Sequence, residues 1–198
     1  MMKKILIIFI LMINAGVQAQ EDYAFYRLDT LHSKIFWRCD KHKGTLKLME
    51  GGLVVDNDSI VAGKFIIDMH KIKDSDMSTK QYGTAVLILE NTLKNEFFEV
   101  EKYPLAVFDL QEIKHLQGKE YELTGDFTLH GHTVCIRFKA MINLGKETIK
   151  LKSEKFTIDR TDWGIYRMSP KRPYQDDENG WTVPDEVDIQ IDLILKKE

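Results

Sequence analysis

The chain has 198 residues, 43% of them apolar and 30% charged, with only 4 prolines and 12 glycines; low-complexity disorder and collagen-like fibre are excluded and one globular domain is expected. Its 28 basic and 31 acidic side chains give a formal net charge of -3. That balance does not suit affinity built on neutralising phosphates or an anionic membrane, so no nucleic-acid partner is expected.

The first element is a leader. Lys3 and Lys4 precede an unbroken apolar run from Ile5 to Ile13, followed by Asn14, Ala15, Gly16, Val17, Gln18 and Ala19, the charged, apolar and small-residue regions of a secretory signal peptide. A run of that length at about 1.5 Å per residue covers less than half of a bilayer core of roughly 30 Å, so a retained spanning helix is not expected. Cleavage is expected after Ala19, leaving a single domain over 20–198, periplasmic or secreted. Losing Lys3 and Lys4 reduces the 28 basic side chains to 26 against 31 acidic ones, a net of -5.

From Tyr23 onward apolar residues recur at every second position in short runs. Ile35, Trp37 and Cys39 form one face, then Phe65, Ile67 and Met69, then Ala106 and Phe108. Leu123, Phe127 and Leu129 follow, then Val134 to Ile142, Phe156 with Ile158, and finally Val187 to Leu195. Asp56-Asn57-Asp58-Ser59, Gln117-Gly118-Lys119, His130-Gly131-His132 and Gly145-Lys146 supply turns at hairpin spacing. The pattern predicts an all-β fold of about eight antiparallel strands. One segment breaks it: Val86, Leu89 and Leu93 recur at helical spacing, with Leu87, Ile88 and Phe97 widening the stripe, so one helix is expected near residues 78–98, capped by Ser75 or Ser78.

Little in the sequence points to catalysis. The histidines stand apart except for His130 and His132, which straddle Gly131 in a turn, so no metal site is expected. Cys39 and His42 would make a thiol and its base, but Cys39 falls on an apolar face that disfavours the thiolate. Cys39 and Cys135 occupy opposite strand parities, so a disulfide between them is not expected. No nucleophile elbow, phosphate loop or dinucleotide fingerprint is present. The chain is expected to be no enzyme and to carry no cofactor.

Four segments carry a resemblance. They are Asp68-Met69; Leu93 to Pro104 with Ala106 and Phe108; Thr124-Gly125-Asp126-Phe127-Thr128-Leu129-His130-Gly131; and Phe156-Thr157-Ile158-Asp159-Arg160-Thr161-Asp162-Trp163-Gly164-Ile165. In this order the chain resembles the YceI-like family over nearly all of residues 20–198. The resemblance implies an extended lipocalin-like barrel, exported, enclosing an apolar channel for a polyisoprenoid or similar amphiphile. The chain departs from the family pattern after Ile165, where Arg167 to Tyr174 and the acidic 175–180 stretch replace a shorter connection.

By strand parity, Trp37, Phe65, Ile67, Phe108, Phe127, Phe138, Phe156 and Ile158 are the candidate channel lining. From the residues alone, the same side chains packed on one another would fill the barrel, and that reading ranks above a channel until the resemblance is added. Asp159, Arg160 and Asp162-Trp163-Gly164 read first as a strand end tied by an ion pair and a turn, with a head-group contact by Arg160 as the sharper alternative. The partner expected is a long-chain apolar lipid, polyprenyl or quinone-like, with pairing into a homodimer left open. The competing reading is a filled-barrel interaction or stress-response module without ligand, using the 175–180 loop with Lys171 and Arg172.

Overall fold

Alternating apolar residues form strands because successive side chains of an extended chain point to opposite faces, and one face here can be buried throughout. In the computed structural model, which describes residues 23–76, 79–172 and 180–198, the strands are β1 (Tyr23–Leu28), β2 (Lys34–Cys39), β3 (His42–Asp56), β4 (Ser59–Asp74), β5 (Leu105–Gln117), β6 (Glu120–Leu129), β7 (His132–Leu144), β8 (Thr148–Ser153), β9 (Phe156–Asp159) and β10 (Glu186–Lys197). The expected leader, Met1–Ala19, lies outside the described residues.

The strands form one antiparallel sheet that closes on itself. β2 to β8 pair in sequence order, and β10 pairs with β8 on one side and β2 on the other. Closure leaves no long unpaired edge around the ring. About eight strands were expected, and ten are found among the described residues because two places in the ring each hold two short strands. β1 and β2 run end to end between β10 and β3, and β8 and β9 do so along the other side of β10.

The sheet bends where the ladder slips. Register shifts fall at Thr45/Lys47, Leu48/Glu50 and Val54/Val55 between β3 and β4, and at Leu110/Glu112 and His115/Gln117 between β5 and β6; such bulges add local twist and let a sheet curl shut. Gly125, opposite Leu110, sits beside one of them, and a Cβ there would stand 2.4 Å from Phe108 Cζ and 2.6 Å from the Asp109 carbonyl oxygen. Glycine is required because Phe108 crosses its face.

The helical segment differs from expectation in three ways. Helix α1 covers Thr79–Thr92, breaks its geometry at Tyr82 (φ -126°, ψ 30°), and passes into one π turn over Leu93–Phe97. Val86 and Phe97 are buried, but Leu87 and Ile88 are exposed, so the buried stripe is narrower than the apolar run. The buried partner on that face is Glu90, whose carboxylate accepts from Lys73 Nζ (2.9 Å) and from the Asp74 main-chain N–H (3.3 Å), fastening the helix to the end of β4. Among the described residues, the Ser75 hydroxyl donates to the Lys43 carbonyl (3.3 Å). Ser78 lies outside the described residues.

The interior is solid at one end and hollow toward the other. Leu53, Val55, Ile60, Ile142, Ile149 and Leu195 are buried against one another near the β3–β4 and β7–β8 turns, and none of them lines the cavity described next.

Candidate functional site

The hollow is a cavity of about 480 Å³, within the roughly 300–1,000 Å³ of small-molecule sites. Its wall is laid down by strand parity. β2 contributes Ile35, Trp37 and Cys39; β4 contributes Phe65, Ile67 and Met69; β5 contributes Ala106 and Phe108; β6 and β7 contribute Leu123, Phe127, Ile136 and Phe138. β9 adds Phe156 and Ile158, and β10 adds Val187, Ile189, Ile191 and Leu193. All eight residues singled out by parity therefore stand on one wall. Leu89, Leu93, Phe97, Phe98, Met168 and Trp181, from the helical segment and the late loops, close over it. Sequence reading missed these closing residues because they sit on elements without period-two alternation.

The aromatics pack without filling the space. Phe138 lies parallel to Phe156 with centroids 4.8 Å apart and tilts against Phe108 at 5.6 Å. Phe127 meets Trp163 edge-on at 5.5 Å, and the Trp163 Nε1–H donates to the Phe127 carbonyl (2.8 Å). Beside these packed rings the cavity persists, so the interior is not the solid one that the residues alone favoured.

Polar atoms on the wall are few. Trp37 is 7% exposed, and its Nε1–H is closed off from solvent with no hydrogen-bond acceptor among the described residues. A buried donor left unpaired costs about 1–3 kcal/mol. Cys39 donates to the Pro184 carbonyl at 3.4 Å, and burial pushes its thiol above the ordinary range, which keeps it protonated and a poor nucleophile. Both cysteines are free; Cys135 is exposed on the outer face, opposite in orientation to Cys39 on the cavity wall.

Arg160 reaches the cavity rim, but its guanidinium is committed elsewhere. Nε donates to the Pro184 carbonyl (3.2 Å), Nη1 to the carbonyls of Ile165 and Arg167 (2.8 Å each), and Nη2 to the Val183 carbonyl (3.0 Å), while Nη2 also pairs with Asp185 Oδ1 at 3.0 Å. Four hydrogen bonds to carbonyls and the ion pair with Asp185 thus commit the guanidinium to the protein rather than to a head group. The expected tie between Asp159 and Arg160 is replaced by two others. Arg160 pairs with Asp185, whereas Asp159 accepts from the Thr161 N–H (2.9 Å) and pairs with Lys171 Nζ (2.7 Å). Burial opposes ionisation of Asp159, yet Lys171 and Thr161 hold its carboxyl below the usual range. The 3-10 turn Arg160–Trp163 ends on Gly164 at φ 74°. Arg172 lies over the Tyr166 ring at 3.7 Å; residues 175–179 of the acidic stretch lie outside the described residues.

At the rim where β2 turns into β3, His42 comes together with Asp74 and the following Asp76, one ligand atom from each lying within 4.8 Å of the others. The residues are far apart in sequence, and only the β3–β4 pairing at Gly44 and Asp74 brings them together. The histidine pair that drew notice, His130 and His132, holds no such cluster. His130 contacts Glu99 through Nε2 (2.7 Å) and the Trp163 carbonyl through Nδ1 (3.3 Å).

Comparison with known proteins agrees with this architecture. The YceI-like domain model matches residues 26–195. A UPF0312 protein of Pseudomonas putida strain W619 is 28% identical over 127 residues, which make up 62% of this chain and 62% of that protein; the chain thus spans less than two thirds of that relative's length. Burkholderia cenocepacia BcnA superposes with a TM-score of 0.61 at 18% identity, covering 84% of this chain and 98% of that one. A polyisoprenoid binding domain from Saccharophagus degradans implicated in plant cell wall breakdown gives a TM-score of 0.61 at 12% identity, covering 90% and 100%. At such identities the two structures establish a shared fold.

Proposed function

The chain belongs to the YceI-like domain family, and from that membership we propose that it is an exported carrier or sequestering protein for a long-chain apolar lipid, a polyisoprenoid or a quinone with an isoprenoid tail. The observation that carries this reading is the 480 Å³ cavity, walled by aliphatic and aromatic side chains inside a closed ring. That the Saccharophagus degradans neighbour is a polyisoprenoid binding domain supports the choice of lipid class. Export is read from Met1–Ala19.

Transfer out of water drives binding. Each buried methylene contributes about 0.8 kcal/mol, so ten carbons supply roughly 8 kcal/mol against association costs of several kcal/mol. A tail therefore binds without strong polar contacts, and the rim is left to choose the head. The wall offers binding rather than turnover, since the cysteine that lines it is held as a buried, protonated thiol.

Native mass spectrometry of the full chain, expressed with its leader in a membrane-containing host, tests the reading. An adduct with the mass of a long-chain lipid, released by organic extraction, is expected. The polypeptide mass alone, unchanged after incubation with decaprenol or a long-tailed quinone, overturns it.

A further inference from the structure

We propose that His42, Asp74 and Asp76 form a divalent-cation site of the zinc class at the cavity rim, and that this cation, with the Trp37 indole N–H, receives a phosphate head on the bound lipid. The head-group half rests on the lipid reading of the cavity; the metal half does not.

The first observation is the spacing. His42 Nδ1 lies 3.6 Å from Asp74 Oδ2 and 3.4 Å from Asp76 Oδ2. Nδ1 is closed off from solvent and makes no hydrogen bond of proper geometry. With metal–ligand bonds of about 2.0–2.1 Å, tetrahedral geometry puts neighbouring ligand atoms about 3.3–3.4 Å apart, close to what is found. Calcium would accept similar spacings but takes oxygen donors, whereas an imidazole nitrogen beside two carboxylates suits zinc and its neighbours.

The second observation is that the protein builds the cluster rather than leaving it to chance. Asp74 has its carboxyl group fully shielded from solvent at the end of β4. Its Oδ1 accepts the Asp76 main-chain N–H (3.2 Å), and the Ser75 N–H donates to the Lys43 carbonyl (2.9 Å), folding this turn back onto the start of β3. The nearby carboxylate of Glu90 is occupied by Lys73, so it does not compete for the same ion. Three protein ligands leave one tetrahedral corner for an exogenous oxygen, the arrangement of zinc sites that bind a further group.

The third observation is independent of the cluster and points to a ligand. Trp37 is paired with Gly44 and Cys39 with His42 across the same hairpin. The Trp37 ring crosses Gly44, where a Cβ would stand 2.6 Å from Cζ2 and 1.8 Å from the Lys73 carbonyl oxygen. Its buried, unpaired N–H thus belongs to the same corner of the cavity wall as His42. A phosphate satisfies both features, since its oxygens accept hydrogen bonds and ligate hard or borderline cations. Without the cation, the two aspartates would repel that head.

The test separates the two halves. Zinc is titrated into the lipid-free full chain and read by native mass spectrometry and calorimetry, with calcium as the comparison. One zinc per chain is expected, reduced at least tenfold in affinity by both His42→Ala and Asp76→Asn, with the circular dichroism spectra unchanged. No stoichiometric zinc, or zinc that ignores both substitutions, overturns the site. Decaprenyl phosphate and decaprenol are then compared with and without zinc: the phosphate is expected to gain at least tenfold from zinc and the alcohol nothing. Trp37→Phe is expected to weaken the phosphate lipid severalfold without changing zinc affinity. Equal response of the two lipids to zinc overturns the head-group assignment. Zinc binding with neither lipid bound overturns the lipid reading and the head-group assignment and leaves the metal site standing.

Discussion

Arg160 and Asp185 face each other at 3.0 Å with both side chains nearly closed to solvent, joining the turn after β9 to the start of β10. The same guanidinium collects carbonyls from residues 165, 167, 183 and 184, so one side chain gathers the late loops beside the cavity rim. Taking one partner from a buried pair strands the other charge, which costs about 3–5 kcal/mol. Arg160→Ala leaves Asp185 the Ser169 hydroxyl (2.9 Å) and Lys171 Nζ at 3.9 Å, and is therefore expected to lower the stability toward the low end of that range in urea denaturation. Arg160→Met combined with Asp185→Leu is expected to recover part of the loss, because no buried charge is then left alone. If Arg160→Ala costs less than the double substitution, the pin has been misread.

Gly125 offers a test of closure. A methyl group there meets the Phe108 ring at 2.4 Å and the Asp109 carbonyl at 2.6 Å, and the carbonyl belongs to a paired backbone that cannot swing aside. Gly125→Ala is expected to destabilise by about 1–3 kcal/mol, as overpacking does. A substitution on the open surface at Gly83, where a Cβ meets nothing within 4 Å, should lack this steric cost. Equal urea midpoints for the Gly125→Ala variant and the parent would show that β5 and β6 are not pressed together.

How legible these features are in sequence depends on parity. The lining residues are readable because β2, β5, β6, β7, β9 and β10 keep strict alternation where they face the cavity, as β4 does from Phe65 to Met69 before Ile72 breaks step. β3 is harder to read. Leu46 and Leu48 point inward on even numbers and Leu53 and Val55 on odd ones, because the slip at Leu48/Glu50 reverses the face midway. The helical stripe misled for a different reason: Leu87 and Ile88 are apolar yet exposed, while the buried position goes to Glu90, whose charge is met by Lys73. The His42, Asp74 and Asp76 cluster has no local signal at all, since it depends on the register of two long strands.

Acid should loosen the wall near β9. The Asp188 carboxylate accepts from Lys155 Nζ (2.9 Å) and the Thr157 hydroxyl (2.8 Å), and these contacts, Lys155 first, hold its carboxyl below the usual range. A carboxyl whose pKa is lower folded than unfolded stabilises the native state fully above the unfolded value of about 3.9, and that contribution is lost as pH falls through the folded value. Asp188→Asn is thus expected to narrow the difference between melting temperatures at pH 7 and pH 3. An undiminished difference would assign the acid sensitivity to other groups.

Occupancy of the cavity should be separable from stability. Ile158 stands on the cavity wall in β9 and is only partly buried. Ile158→Trp places an indole in the hollow, removing volume that a lipid tail would use while adding apolar contacts to the protein itself. Decaprenol binding is expected to weaken by about tenfold or more, the equivalent of ~1.4 kcal/mol, while the melting temperature holds or rises. A matched change outside the ring, Cys135→Trp on the exposed face of β7, should leave binding as it is. Equal losses in both variants would mean that the lipid rides on the outside of the sheet.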